Sequence, residues 1–144
     1  MTIHLTVKAF ILLCADTHLR NDDRFADLLL QKGIVSYDFK SEVGAIKLLA
    51  GEGEQLAKGL LLDEIALVVN RYSVKEIFLV SHSDCGAYGG SGKFSSDSEE
   101  RQFHQAELHR AASLVTKKFP KLKVRQFFAQ VDSGEINSLE EIER

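Results

Sequence analysis

The chain has 144 residues, 44% of them hydrophobic and 27% charged, with a net charge of −3. That suits one domain, residues 1–144, with a core of its own. It excludes the long basic tracts of nucleic-acid binders and the ~20-residue apolar run of a membrane span, and two cysteines are too few for a secreted disulfide scaffold.

Met1-Thr2-Ile3-His4 has no basic n-region, so the start reads as the approach to a strand rather than a signal peptide. The cytoplasm is the expected location. Leu5 to Leu13 is apolar and rich in β-formers, and is read as the first strand. Arg20 to Gln31 carries Phe25, Leu28 and Leu29 at helical spacing, with Asn21 or Asp22 as N-cap and Gly33 as the stop. Ile34 to Phe39 reads as a short second strand. Ser41 to Ala50 is mixed, with Gly44 placed to let backbone pass close to a neighbour.

A helix is expected from about Glu54 to Tyr72, with Leu56, Leu60, Ile65, Ala66, Val69 and Tyr72 on its apolar side. Glu76 to Ser81 is a continuous apolar run of the kind a parallel sheet buries on both faces. Gly86 to Ser98 reads as a Gly- and Ser-rich loop, and Glu99 to Phe119 as a long helix ended by Pro120, the only proline. Lys123 to Val131 is the fourth strand. The polar tail past Asp132 is read as a short helix. Alternating strands and helices give an α/β class with a mainly parallel sheet.

Two short stretches follow apolar strands: Cys14-Ala15-Asp16-Thr17-His18 and His82-Ser83-Asp84-Cys85-Gly86. They contain both cysteines. Two thiolates and an imidazole suit Zn²⁺, and three protein ligands leave a fourth position open, as in a catalytic centre. His82 and Cys85 are spaced to share one ion, and Gly86 allows the turn that aims the thiolate. In an open α/β sheet of strand order 2-1-3-4, both stretches lie past the carboxyl ends of strands 1 and 3, where strand order reverses. A redox pair of Cys14 with Cys85, or two buried thiols without a role, are the other readings. Asp16 could cap the following turn. Asp84 reads as a turn residue, His104 and His109 as packing or solvated residues on the long helix, and Tyr88 as a possible pocket wall.

These stretches resemble the β-class carbonic anhydrases, whose signature is Cys-x-Asp-Ser-Arg after the first strand and His-x-x-Cys-Gly after a later one. The run from Ile65 to Val80 is similar to the family's helix and strand leading into the metal histidine. The resemblance spans roughly residues 5 to 131 in order and type. It implies a three-layer α/β fold and zinc held by Cys14, His82 and Cys85. It also implies that Asp16 orients the zinc-bound water or, in a resting form, binds the metal itself. The activity implied is hydration of carbon dioxide to bicarbonate by zinc-bound hydroxide. A zinc-binding relative without that turnover, or a hydrolase of carbonyl sulfide or carbon disulfide, is the alternative. The partner implied is a second copy of the chain, as a homodimer or higher homo-oligomer.

The sequence departs from that pattern in three places. His18 stands where the family has arginine, with Arg20 two residues on. Few residues precede the first strand, too few for the helices the family carries there. Ser41-Glu42-Val43-Gly44 stands where an Arg-x-Ala-Gly segment is expected. An arginine at position 18 would pair with Asp16 and keep it off the metal; a histidine is shorter and only partly charged near neutral pH.

Overall fold

The computed structural model describes residues 8–16, 19 and 23–143. The described elements are β1 (Ala9–Leu13), α1 (Arg24–Gln31), β2 (Tyr37–Ser41), α2 (Ala45–Ala50), α3 (Gln55–Tyr72), β3 (Glu76–His82), α4 (Asp97–Lys118), β4 (Lys123–Asp132) and β5 (Glu135–Ile142). They form one sheet in the order β2-β1-β3-β4-β5. The first four strands are parallel, as expected from the alternation.

β1 is buried at every position, and β3 at all but its first. Their unbroken apolar sequences are what a strand covered on both faces requires. One face, with Phe10, Leu12, Ile77, Leu79 and Phe128, packs against α2, α3 and α4. The other, with Ile11, Leu13, Phe78, Val80 and Phe127, packs against α1 through Phe25 and Leu29. The result is three layers.

Several boundaries and one element differ from expectation. Leu5 to Val7, the proposed N-caps Asn21 and Asp22, and both His18 and Arg20 lie outside the described residues. The mixed segment resolves into α2, whose N-cap Gly44 has φ +62; a Cβ there would stand 3.0 Å from Ala87 Cβ. The loop after Cys85 holds two 3₁₀ turns, and α4 starts earlier than expected, with the Ser96 hydroxyl accepting the Glu99 N–H.

The tail is a strand, not a helix. β5 runs antiparallel to β4 after a two-residue turn in which Ser133 and Gly134 both take positive φ, the backbone that suits a tight hairpin. A bulge shifts the register between Gln130 and Val131. The extra residue, Asn137, sets the buried Ile136 and Leu139 three apart on one face, and Ile142, three further on, is buried in the opposite core.

α3 also corrects the sequence reading. It buries Leu61 and Ile65, with Leu62, Val68 and Val69 against the core. Leu56 and Leu60, expected inside, are 79% and 57% exposed. The helix is apolar almost all round, so no single stripe marks the inward face.

Candidate metal centre

The order β2-β1-β3 puts the reversal of strand order between β1 and β3, where open α/β sheets build their sites. Cys14 immediately follows β1 and His82 ends β3. Cys85 comes three residues later, after Asp84 takes φ +55. The ligand atoms of Cys14, His82 and Cys85, all buried, lie within 4.8 Å of one another. These are the three residues the sequence singled out as zinc ligands.

The donor geometry fits zinc. With Zn–S bonds near 2.3 Å and tetrahedral angles, two thiolate sulfurs belong about 3.8 Å apart. The Sγ atoms of Cys14 and Cys85 are 3.9 Å apart. Both cysteines are free, so the redox pairing is not formed in this structure. His82 Nδ1–H donates to the Ser83 carbonyl at 2.7 Å. That fixes the tautomer and leaves Nε2, buried and without a hydrogen-bond partner among the described residues, as the lone-pair donor.

Electrostatics favour a metal-binding thiolate. The Cys85 thiol hydrogen bond holds Cys14 well below the usual thiol range, with help from His82 and the Gly44 backbone. Cys85 is pushed up by that same contact, by burial and by the Cys14 charge. Burial alone would lower His82, but the Cys14 thiolate, the Ser83 carbonyl and Asp16 together outweigh it and raise it. A dication would take over the role of these protons.

Asp16 stands at the edge of the cluster, its Oδ2 3.6 Å from His82 Nε2. His18, the expected neighbour of Asp16, lies outside the described residues. His104 is fully buried among Tyr88, Phe103 and Phe128, with ring centroids 5.2, 5.5 and 5.6 Å away. Burial lowers its pKa to about 4, so it packs as a neutral ring. His109 is exposed. Tyr88 is buried and stacks edge-on against Phe103.

Two supports were not foreseen. Ser83 ties the ligand turn to β4: its N–H donates to Ala129 O, and its hydroxyl accepts from Val131 N–H at 2.7 Å. Glu100, 3% exposed, accepts from the Asp84 N–H and the Ser91 hydroxyl. A serine beside a ligand and an acid in the first turn of a helix give no sequence signal beyond ordinary turn and capping preferences.

No protein-family model matches the chain. It is 28% identical over 139 residues to the uncharacterized protein RC0076 of Rickettsia conorii (strain ATCC VR-613 / Malish 7), covering 94% of this chain and 74% of that protein. It is 28% identical over 129 residues to an uncharacterized protein of Rickettsia bellii (strain RML369-C), covering 87% and 79%. Among solved structures it is similar to a tetrameric β-carbonic anhydrase of the filamentous ascomycete Sordaria macrospora. The TM-score is 0.57 at 11% identity, with 96% of this chain and 82% of that one covered. The β-carbonic anhydrase CafA of Aspergillus fumigatus matches at a TM-score of 0.49 and 14% identity, covering 95% and 76%. The chain thus has the fold of the Sordaria enzyme, and within that fold Cys14, His82 and Cys85 lie together as a metal site would.

Proposed function

We propose that this chain is a zinc-dependent lyase of the β-carbonic anhydrase kind, converting carbon dioxide and bicarbonate. Cys14, His82 and Cys85 are its metal ligands and Asp16 is its catalytic carboxylate. One observation carries the reading: two sulfurs 3.9 Å apart and a tautomer-fixed imidazole converge where strand order reverses. The shared fold supports it. Bound there, zinc would supply a Lewis acid that lowers the pKa of water toward ~7.

The chain's own residues supply the rest. Two thiolates offset the charge of the dication, and the Ser83 carbonyl keeps His82 oriented. Asp16, close to His82 Nε2, accepts a hydrogen bond from water at the site and so orients its lone pair. Both cysteines must stay reduced, which fits a cytoplasmic location.

A second reading rests on the same carboxylate. Asp16 Oδ2 is near enough to His82 Nε2 to take the fourth metal position. The protein would then hold zinc in a closed site without turnover.

The test is metal analysis of protein expressed with zinc, followed by stopped-flow assays with carbon dioxide, carbonyl sulfide and carbon disulfide. One zinc per chain with carbon dioxide hydration, lost in Asp16→Asn while zinc is retained, supports the proposal. Turnover of a sulfur compound alone moves the substrate. One zinc and no turnover selects the closed site. Protein free of metal with both thiols reduced overturns both readings.

The proposed partner is a second copy. β2 is an edge strand, and α3 leaves Leu56, Leu60 and Leu67 79%, 57% and 69% exposed. Apolar side chains aligned on one helix face are suited to burial in an interface. No helix among the described residues is long and apolar enough to cross a membrane.

A further inference from the structure

The opposite end of the sheet carries a separate feature. Lys8 directly precedes β1, Lys75 directly precedes β3, and Lys123 opens β4. Backbone hydrogen bonds join them in a row: Lys75 N–H donates to Lys8 O at 3.4 Å, and Lys123 N–H donates to Lys75 O at 3.0 Å. Neighbouring strands lie ~4.8 Å apart, so the Lys8 and Lys75 stems start side by side, and Lys123 starts beside Glu76 one position further along. Lys32, just past α1, and Arg125 on β4 join them around one cavity of about 510 Å³ that reaches Phe78. Roughly 20 Å of strand separates Lys8 from Cys14.

This arrangement is electrostatically unbalanced. Like charges on adjacent strands repel. The chain as a whole is negative, yet five cations line this cavity and only two carboxylates answer them. Glu141 is held by Arg125 in a two-point pair, both contacts at 2.8 Å. Glu76 lies 3.6 Å from Lys123 Nζ and 3.9 Å from Arg125 Nη1. Among the described residues, Lys8, Lys32 and Lys75 have no carboxylate within ion-pair distance.

The cavity falls in the size range of small-molecule sites, roughly 300–1,000 Å³. Glu76 lies in its lining and opposes a weakly charged anion, so net attraction needs a ligand with several negative charges. Lysines bind phosphate as mobile point charges. We propose that this cavity binds a small phosphate-bearing polyanion. Lys8, Lys32, Lys75 and Lys123 are its charge partners, and Arg125, fixed by Glu141 and stacked 4.8 Å from the Phe78 ring centroid, forms the wall. The site is independent of the metal centre.

The test is titration of the full chain with inorganic pyrophosphate, followed by calorimetry and by backbone amide shifts in ¹⁵N NMR. Saturable binding of one pyrophosphate per chain is expected, with shifts centred on Lys8, Gly33, Lys75 and Lys123. Added salt should weaken it. Lys32→Gln with Lys75→Gln should lower affinity at least about tenfold, and Glu76→Gln should raise it. Cys85→Ser should leave it unchanged, which separates binding here from removal of metal by the probe. No saturation by about 1 mM, shifts centred elsewhere, or wild-type affinity in the double variant would overturn the proposal. So would capture by phosphatidic acid vesicles without any response to pyrophosphate, which would make this face a membrane contact.

Discussion

Glu100, in the first turn of α4, reaches back to accept the Asp84 N–H at 2.9 Å. Asp84 is the residue whose positive φ turns the chain between His82 and Cys85. A left-handed backbone at a non-glycine residue is costly and persists only where its surroundings hold it. The Ser91 N–H adds to that hold by donating to Asp84 Oδ1 at 2.9 Å. The carboxylate of Glu100 is therefore a positioning group for Cys85.

Glu100→Ala is expected to destabilise the protein by about 2 kcal/mol, the usual cost of losing a buried hydrogen bond to a charged group. It should also weaken zinc binding, because the turn then samples conformations that carry Cys85 away from Cys14. Urea denaturation and zinc titration check both. Glu100→Gln, which keeps an acceptor, should recover most of the zinc affinity. Wild-type zinc affinity in Glu100→Ala would show that the turn holds itself.

Cys85→Ser removes one of the two sulfurs. It should leave the fold in place and reduce zinc to well below one ion per chain, as read by elemental analysis. Added zinc should then stabilise the wild type and not the variant. The expected gap is about 2.7 kcal/mol when zinc is at 100 times its Kd. Equal zinc content in the two proteins would remove Cys85 from the ligand set.

The convergence of Cys14, His82 and Cys85 was legible because chemistry and topology coincide there. Cys14 and His82 each follow a run that only a doubly covered strand explains, and parallel strands bring their carboxyl ends together. The supports of Ser83 and Glu100 were not legible, because their partners lie on β4 and in the Asp84 turn, set by tertiary packing. β5 was misread for a physical reason. A bulge opposite Gln130 and Val131 breaks the alternation between Ile136 and Leu139, and Ile142 is buried in the other core, so the buried residues fall three apart and imitate a helix. The two-residue Ser133-Gly134 turn was the local signal for a hairpin. α3 was placed correctly along the chain, with Ile65 and Val69 inward as expected but Leu56 and Leu60 outward, since its leucines surround it.

Those outward leucines give the third prediction. The protein should be at least dimeric, with the outer face of α3 in the interface. Fully burying one leucine is worth about 1.5–3 kcal/mol. Leu60→Asp with Leu67→Asp should therefore weaken the dimer by at least about 100-fold. Unfolding of the monomer should change little, because both side chains are already exposed. Light scattering of the wild type and the variant measures this. A monomeric wild type at high micromolar concentration rules out the interface.

The pair of Arg125 and Glu141 ties β5 to β4, and its contribution has a defined pH dependence. Arg125 Nε and Nη2 donate to the two Glu141 carboxylate oxygens, each at 2.8 Å. The hydrogen bonds from Arg125 hold the Glu141 carboxyl below its ordinary value of 4.5, and the Arg125 charge adds to this. A carboxyl whose pKa is lower folded than unfolded stabilises the fold while it is ionised in both states. The contribution is fully present above pH 4.5. It declines as pH falls below that value, where the unfolded chain takes up a proton first, and is gone once the folded carboxyl is also protonated. The side chains are 22% and 34% exposed, so solvent screening limits the pair to about 0.5–1 kcal/mol. Glu141→Gln should cost that amount in urea denaturation at about pH 7, and the gap to wild type should close by about pH 3. Any loss of metal at low pH falls on both proteins and cancels in the difference. A gap that stays constant down to about pH 3 would mean that Glu141 acts through packing, and that the ion pair does not anchor β5.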